Sequence, residues 1–434
     1  MNHRPSSSIR AGRDERIAYM QATAAELRSR GLIHQTAEDL RFDGRTLTLD
    51  GEQVLNFASC SYLGIENDAR LKRGACEAID RYGVHFYSSR AYVSLPLYRE
   101  YEQLLSQMCG GAPVVVTQTT SLGHIAALPV LVGERDAVLF DLQVHNSVQS
   151  VLPALRAMGV PCEVVPHGRM HRVADRARAL AKQHERVFYL CDGVYSMHGD
   201  LVDTAALYSM LDDNPQLVAY VDDSHGVGWA GAKGAGVVIG DRPIHRQMVA
   251  ALGLAKGFAG AGAAFVFADQ ELADRVFTCG STMIFSGPLQ PALLGAGIEA
   301  ARICLSSELA ERQERLVGLV GAFDEMALAS GLVERVAVPS PIRFIELGDE
   351  TAAMTVGAAL KAAGFFVNVA VFPAVPRRRA GLRVMLTCNH TEDDVRELVR
   401  EVARVAPRGR VRRDSMPIVT GAASAERLTA TDRR

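Results

Sequence analysis

The chain has 434 residues, 48% of them hydrophobic, and its 47 basic and 49 acidic side chains leave a formal net charge of −2. That length exceeds one compact core and predicts a large domain plus a smaller one, while the balanced charge excludes nucleic acid as the main partner. The eight cysteines are scattered, with no CxxC pair and no Cys/His ligand spacing. This excludes a disulfide framework and a metal site, and suits a reducing cytoplasm.

In chain order, "MNHRPSSSIRAGRDER" lacks the apolar core of a secretory signal, and residues 1–45 read as an N-terminal arm. Short apolar runs then alternate with helical patterns: "VVVT" (114–117), "AVLF" (137–140), "CEVV" (162–165), "VFYLC" (187–191), "LVAYV" (217–221), "MVAAL" (248–252) and "AAFVF" (263–267). Uninterrupted apolar strands between amphipathic segments predict an α/β fold, with a mostly parallel seven-stranded sheet covered by helices on both faces. We assign 46–295 to this large domain and 296–407 to a smaller α+β domain. The tail, 408–434, has no apolar periodicity and is expected to be disordered. No segment reads as a membrane span. The most apolar window, "LGLAKGFAGAGAAFVF" (252–267), is rich in Gly and Ala, is interrupted by Lys256, and reads as strand, turn and strand.

Ligands of such sheets bind beyond the carboxyl ends of the strands, and there the polar residues collect. After "VVVT" comes "QTTSLGHIAAL", a hydroxyl cluster opening a helix whose free N–H groups suit a phosphate. After "AVLF" come Asp141, His145 and Ser147. "VFYLC" is followed by Asp192, Ser196, His198 and Asp200, and "LVAYV" by Asp222, Asp223 and His225. Taken singly, such an Asp is commonly a helix cap and such a His a core residue. Lys256 reads either as a strand-end lysine that snorkels to water or as a working group. An ammonium amid apolar side chains loses its proton, finds a partner or is used covalently. An amine to capture an aldehyde, a carboxylate to keep a ring nitrogen protonated, a flat residue to cover the ring and a helix start for a phosphate together fit pyridoxal 5'-phosphate.

This constellation resembles the fold-type I pyridoxal phosphate enzymes and, more narrowly, the α-oxoamine synthases. The resemblance runs from about residue 50 to about 405. "LNFASCSYLG" is similar to LNFSSNDYLG, "VDDSHGVG" to VDDAHGTG, "DGVYSMHGD" to EGVFSMDGD, and "AKGFAGAGAA" to GKGFGVSGAA around the cofactor lysine. "PAVPRRRAGLRVMLTCNHT" is similar to PxVPxGxxRLRxxxTAxHT. The resemblance implies that Lys256 carries the cofactor and moves the Cα proton, and that Asp222 pairs with the ring nitrogen. His225 serves the ring oxygen or the acyl carbonyl, with Ser196 nearby, and His145 stacks on the ring. Thr119 and Thr120 take the phosphate-binding place, Ser286 lies in a loop expected to reach the phosphate of a second subunit, and Arg383 grips the substrate carboxylate. Cys60 stands where the family has an asparagine near the amino acid.

Other departures are Gly253, where a Thr or Ser usually precedes the lysine by three, and His85, Phe86 and Tyr87 in place of a glycine-rich stretch. The implied activity is a homodimeric, cytoplasmic C-acyltransferase of biosynthesis. It condenses an amino acid with an acyl thioester of coenzyme A or an acyl carrier protein, with decarboxylation, to an α-amino ketone. The alternatives are an aminotransferase or amino-acid decarboxylase on the same scaffold, and a non-catalytic partner subunit, which would lack the lysine. Arg377, Arg378 and Arg379 read either as solvated surface or as a contact for the acyl donor's acidic groups.

Overall fold

The structure, a computed structural model, describes residues 7–240, 242–333 and 339–406. The tail expected to be disordered, 408–434, lies outside the described residues. The seven apolar runs form one sheet: β1 (Val114–Thr117), β2 (Ala137–Asp141), β3 (Cys162–Val165), β4 (Val187–Asp192), β5 (Leu217–Asp222), β6 (Met248–Gly253) and β7 (Ala263–Phe267). Their spatial order is β1-β7-β6-β5-β4-β2-β3. β3, β2, β4, β5 and β6 are parallel, and β7 is antiparallel to both β6 and β1. β1 therefore points the same way as the parallel five, and its carboxyl end opens on the same edge.

Alternate residues of each strand enter cores on opposite faces. Tyr189, Cys191, Val221 and Leu252 pack on one side, and Phe188, Leu190, Tyr220 and Ala251 on the other. Burial on both faces is why the strands read as unbroken apolar runs. The helix Thr120–Leu131 lies close against the sheet at Gly123, where a Cβ would come 2.0 Å from the Phe265 ring.

Toward the C-terminus, β8 (Ile342–Gly348), β9 (Asn368–Ala370) and β10 (Ala380–Met385) form an antiparallel sheet in the order β8-β10-β9. Two features depart from the expected division of the chain. The strand Glu52–Asn56 pairs in parallel with Phe365–Phe366, so chain assigned to the large unit is hydrogen-bonded to the C-terminal one. The boundary at residue 295 falls inside the helix Pro291–Cys304. Periodicity shows where an element lies, whereas a strand's partner is set by the tertiary fold.

Candidate active site

Asp141, Asp192 and Asp222 are the last residues of β2, β4 and β5. The strands thus run one residue beyond the apolar runs, and three carboxylates become part of the sheet's carboxyl edge. Asp222 accepts from the Ser224 N–H at 3.0 Å and lies 3.0 Å from His124 Nε2. Burial alone would raise its pKa, but the hydrogen bond and electrostatic influence of His124, with Lys256 behind them, hold the carboxyl below its ordinary value. Its in-register neighbour, Asp192, accepts the His145 N–H at 3.0 Å. Burial, then the charge of Asp222, pushes Asp192 well above the carboxylate range. Two adjacent carboxyls are driven apart in this way, and Asp222 keeps the negative charge.

Lys256 sits in the turn between β6 and β7, closed by Ala259 N–H to Lys256 O at 2.8 Å. Burial lowers its pKa against the opposing pull of Asp222. His225 is also buried, and its pKa falls well below the usual imidazole value through burial and then the charges of Lys256 and Arg383. Its Nδ1 lies 2.7 Å from the Tyr62 hydroxyl. Burial raises the Tyr62 pKa well above its ordinary value, so the phenol stays protonated. Asp223, in contrast, is structural. It accepts from Val238 N–H at 3.0 Å, and burial raises its pKa to about 7.

At the far end of the site, Thr119 caps the helix Thr120–Leu131, its hydroxyl accepting from Leu122 N–H at 3.1 Å. The N–H groups of Thr120 and Ser121 precede the first intrahelical donor. Ser286 donates to Gln118 Oε1 of its own chain at 2.9 Å, next to that helix start.

The substrate side is assembled from distant segments. Arg383, buried on the central strand β10, donates from Nε to Ser196 O at 2.5 Å, and its Nη2 lies 3.8 Å from Cys60 Sγ. No carboxylate among the described residues pairs with it. His145 opens the short helix Asn146–Gln149, its Nδ1 2.6 Å from Ser147 Oγ, and surrounding protein lowers its pKa. His198 turns away, edge-on to Phe344 at 4.5 Å. Two of the three adjacent arginines are engaged within the chain. Arg377 lies over Tyr19 at 4.0 Å, and Arg379 pairs with Glu346 at 2.7 Å.

Sequence reasoning missed His124, Tyr62 and His167. The signal for His124 was present, since it follows Thr120 by four residues on one helix face. His167 stands between two carboxylates, 2.9 Å from Asp141 and 2.6 Å from Asp200. It thereby ties β2 to the loop that carries Ser196. Burial opposes its charge, but the two hydrogen bonds and both carboxylates raise its pKa to about 9. Because this lies above the unfolded value of about 6.5, the stabilisation is full below that pH and is lost as pH rises through the folded pKa. It amounts to about 3 kcal/mol. His167→Gln is expected to lower the thermal midpoint at pH 6.5 and to converge with the parent near pH 10; midpoint curves that stay parallel would remove the ion pair.

The residues present fit pyridoxal 5'-phosphate. A lysine with a depressed pKa, a carboxylate kept charged and the free N–H groups of a helix start face one edge, and the buried Ser224 hydroxyl has no partner there. The pattern of the aminotransferase class I and II family matches residues 52–402. An 8-amino-7-oxononanoate synthase of Maricaulis maris (strain MCS10) is 30% identical over 375 residues, which are 86% of this chain and 92% of that one. Another from Pseudomonas putida (strain W619) is 30% identical over 396 residues, 89% of this chain and 97% of its own. A serine palmitoyltransferase structure from S. paucimobilis, with bound PLP, superposes with a TM-score of 0.80. It is 21% identical and covers 89% of this chain and 96% of that one, which establishes the likeness of fold. Matched nearly end to end by such relatives, this chain belongs to the aminotransferase class I and II family, as a pyridoxal-phosphate-dependent α-oxoamine synthase.

Proposed function

We propose that the protein joins an amino acid to an acyl thioester, releasing the thiol and carbon dioxide and leaving an α-amino ketone. The observation that carries this is Arg383, a buried guanidinium with no carboxylate partner among the described residues and close enough to Lys256 to lower its pKa. A buried cation calls for an anion, and the carboxylate of an amino acid supplies one. The relatives' name, 8-amino-7-oxononanoate synthase, describes an amino group on the carbon next to a ketone and supports the same product class.

When bound, the cofactor supplies an aldehyde and a protonated ring that draws electrons from the amino acid's Cα. Lys256, its proton loosened by burial, serves as the amine nucleophile and then accepts the Cα proton. Asp222 holds the proton on the ring nitrogen. His225, held by Tyr62, would serve the ring oxygen or the acyl carbonyl as charge gathers there. Ser196 would serve the ring oxygen, His145 would cover the ring face, Thr119 and Thr120 would line the phosphate end, and Ser286 would reach the phosphate of the second subunit. Arg383, with Cys60 beside it, holds the substrate carboxylate.

The functional unit is a homodimer in this reading. Val84, Tyr92 and Phe285 are exposed on two loops joined by Ser89 Oγ to Ile284 O at 2.6 Å, adjoining Ser286. Apolar surface of this kind suits burial against a second copy. Sedimentation is expected to give a cofactor-bearing dimer, and an active monomer would overturn it. All eight cysteines are free, which supports a cytoplasmic setting. Among the described residues no helix is long and apolar enough to cross a membrane.

The test is incubation of the holoenzyme with amino acids and with thioesters of coenzyme A or an acyl carrier protein. Thiol and carbon dioxide are expected in equal amounts with an amino ketone. Carbon dioxide without thiol would mark a decarboxylase, and amino transfer to a keto acid without either would mark an aminotransferase.

A further inference from the structure

Ser224 follows the Asp222–Asp223 pair and is 5% exposed; its hydroxyl lies near enough to Asp222 to help keep that carboxyl charged, yet by distance and direction it completes no hydrogen bond among the described residues. Buried hydroxyls are seldom left so. Gly253, on the neighbouring strand β6, shows what surrounds it. A Cβ placed on Gly253 would lie 2.4 Å from Ser224 Oγ and 3.0 Å from Thr120 Oγ1. Ser224 therefore fills the space that a side chain at 253 would need, and it does so facing the first residue of the helix Thr120–Leu131. Among the described residues the N–H groups of Thr120 and Ser121 have no acceptor, and the Thr119 hydroxyl is committed to its cap. The Asp222 carboxylate already receives the Ser224 N–H and His124, and the Ser224 side chain affects it less than His124 or Lys256 does.

We propose that Ser224 and Gly253 act as a pair: the glycine vacates the space, and the serine hydroxyl enters it to donate to the cofactor's phosphate at the helix start. An anionic oxygen is the acceptor best matched to a dry, unpaired hydroxyl beside free N–H groups. This inference rests on the pyridoxal phosphate reading and adds to it a binding residue that its sequence position, two after the ring-nitrogen aspartate, does not announce.

The experiment compares pyridoxal 5'-phosphate with pyridoxal, which lacks the phosphate, by titrating apoprotein and following the absorbance of the lysine-bound chromophore. Ser224→Ala is expected to weaken pyridoxal phosphate about 10-fold and to leave pyridoxal within about 2-fold. The unchanged pyridoxal titration also shows that the variant folds. Ser224→Gly combined with Gly253→Ser moves the hydroxyl across without a clash, and is expected to recover most of the lost affinity. Equal weakening for both compounds would place the hydroxyl on the ring or on Asp222, and would overturn the inference, as would no weakening at all. A parent protein that binds neither compound would overturn the cofactor reading itself, so the two failures are distinguishable.

Discussion

Lys256→Ala is expected to abolish condensation, with turnover down by about 10⁴-fold, because one change removes both the amine nucleophile and the base for the Cα proton. Borohydride treatment of the parent should fix the cofactor to Lys256, and the variant should show no fixed label. Cofactor should still bind without the covalent link, since Asp222 and the helix start at Thr120 are untouched. Small primary amines added to the variant should partly restore exchange of the Cα proton. A variant that is still labelled, or that retains near-normal turnover, would show that the ammonium in the β6–β7 turn has another purpose.

Asp222→Asn should leave the cofactor covalently held and reduce Cα proton exchange in deuterated water by about 10²–10³-fold, the scale of losing one directed electrostatic contact in a dry site. The physical cause is specific. In the parent, His124 and Lys256 hold the carboxylate charged against the cost of its burial, and a neutral amide offers no charge to keep a ring nitrogen protonated. Asp223→Asn is the control. Its carboxyl accepts backbone N–H groups in the loop that follows β5, so its loss should appear in the thermal midpoint and much less in exchange. Equal effects on exchange from the two substitutions would remove the assigned role from Asp222.

The seven strands were legible without a structure because each run is buried on both faces, and burial on both faces leaves a continuous apolar signature in any order of assembly. Their carboxyl-edge residues were legible for a related reason. A charge that abuts such a run, as Asp222 and Lys256 do, is costly unless it is used. The domain division was less legible, since the strand Glu52–Asn56 finds its partner at Phe365–Phe366, far along the chain.

What the sequence by itself determined is therefore the layered sheet and the two charges at its edge, Lys256 and Asp222. What only the tertiary structure decided is how those charges are held. His124 reaches Asp222 across 98 positions and Tyr62 reaches His225 across 163. His167 bridges a carboxylate at the end of β2 and one in the loop after β4, and Ser224 stands in the space left by Gly253. Apolar burial is written locally, as a period along the chain. A hydrogen bond between side chains depends on distance and direction in space, so its partners carry no mark in the sequence until the sheet sets them side by side.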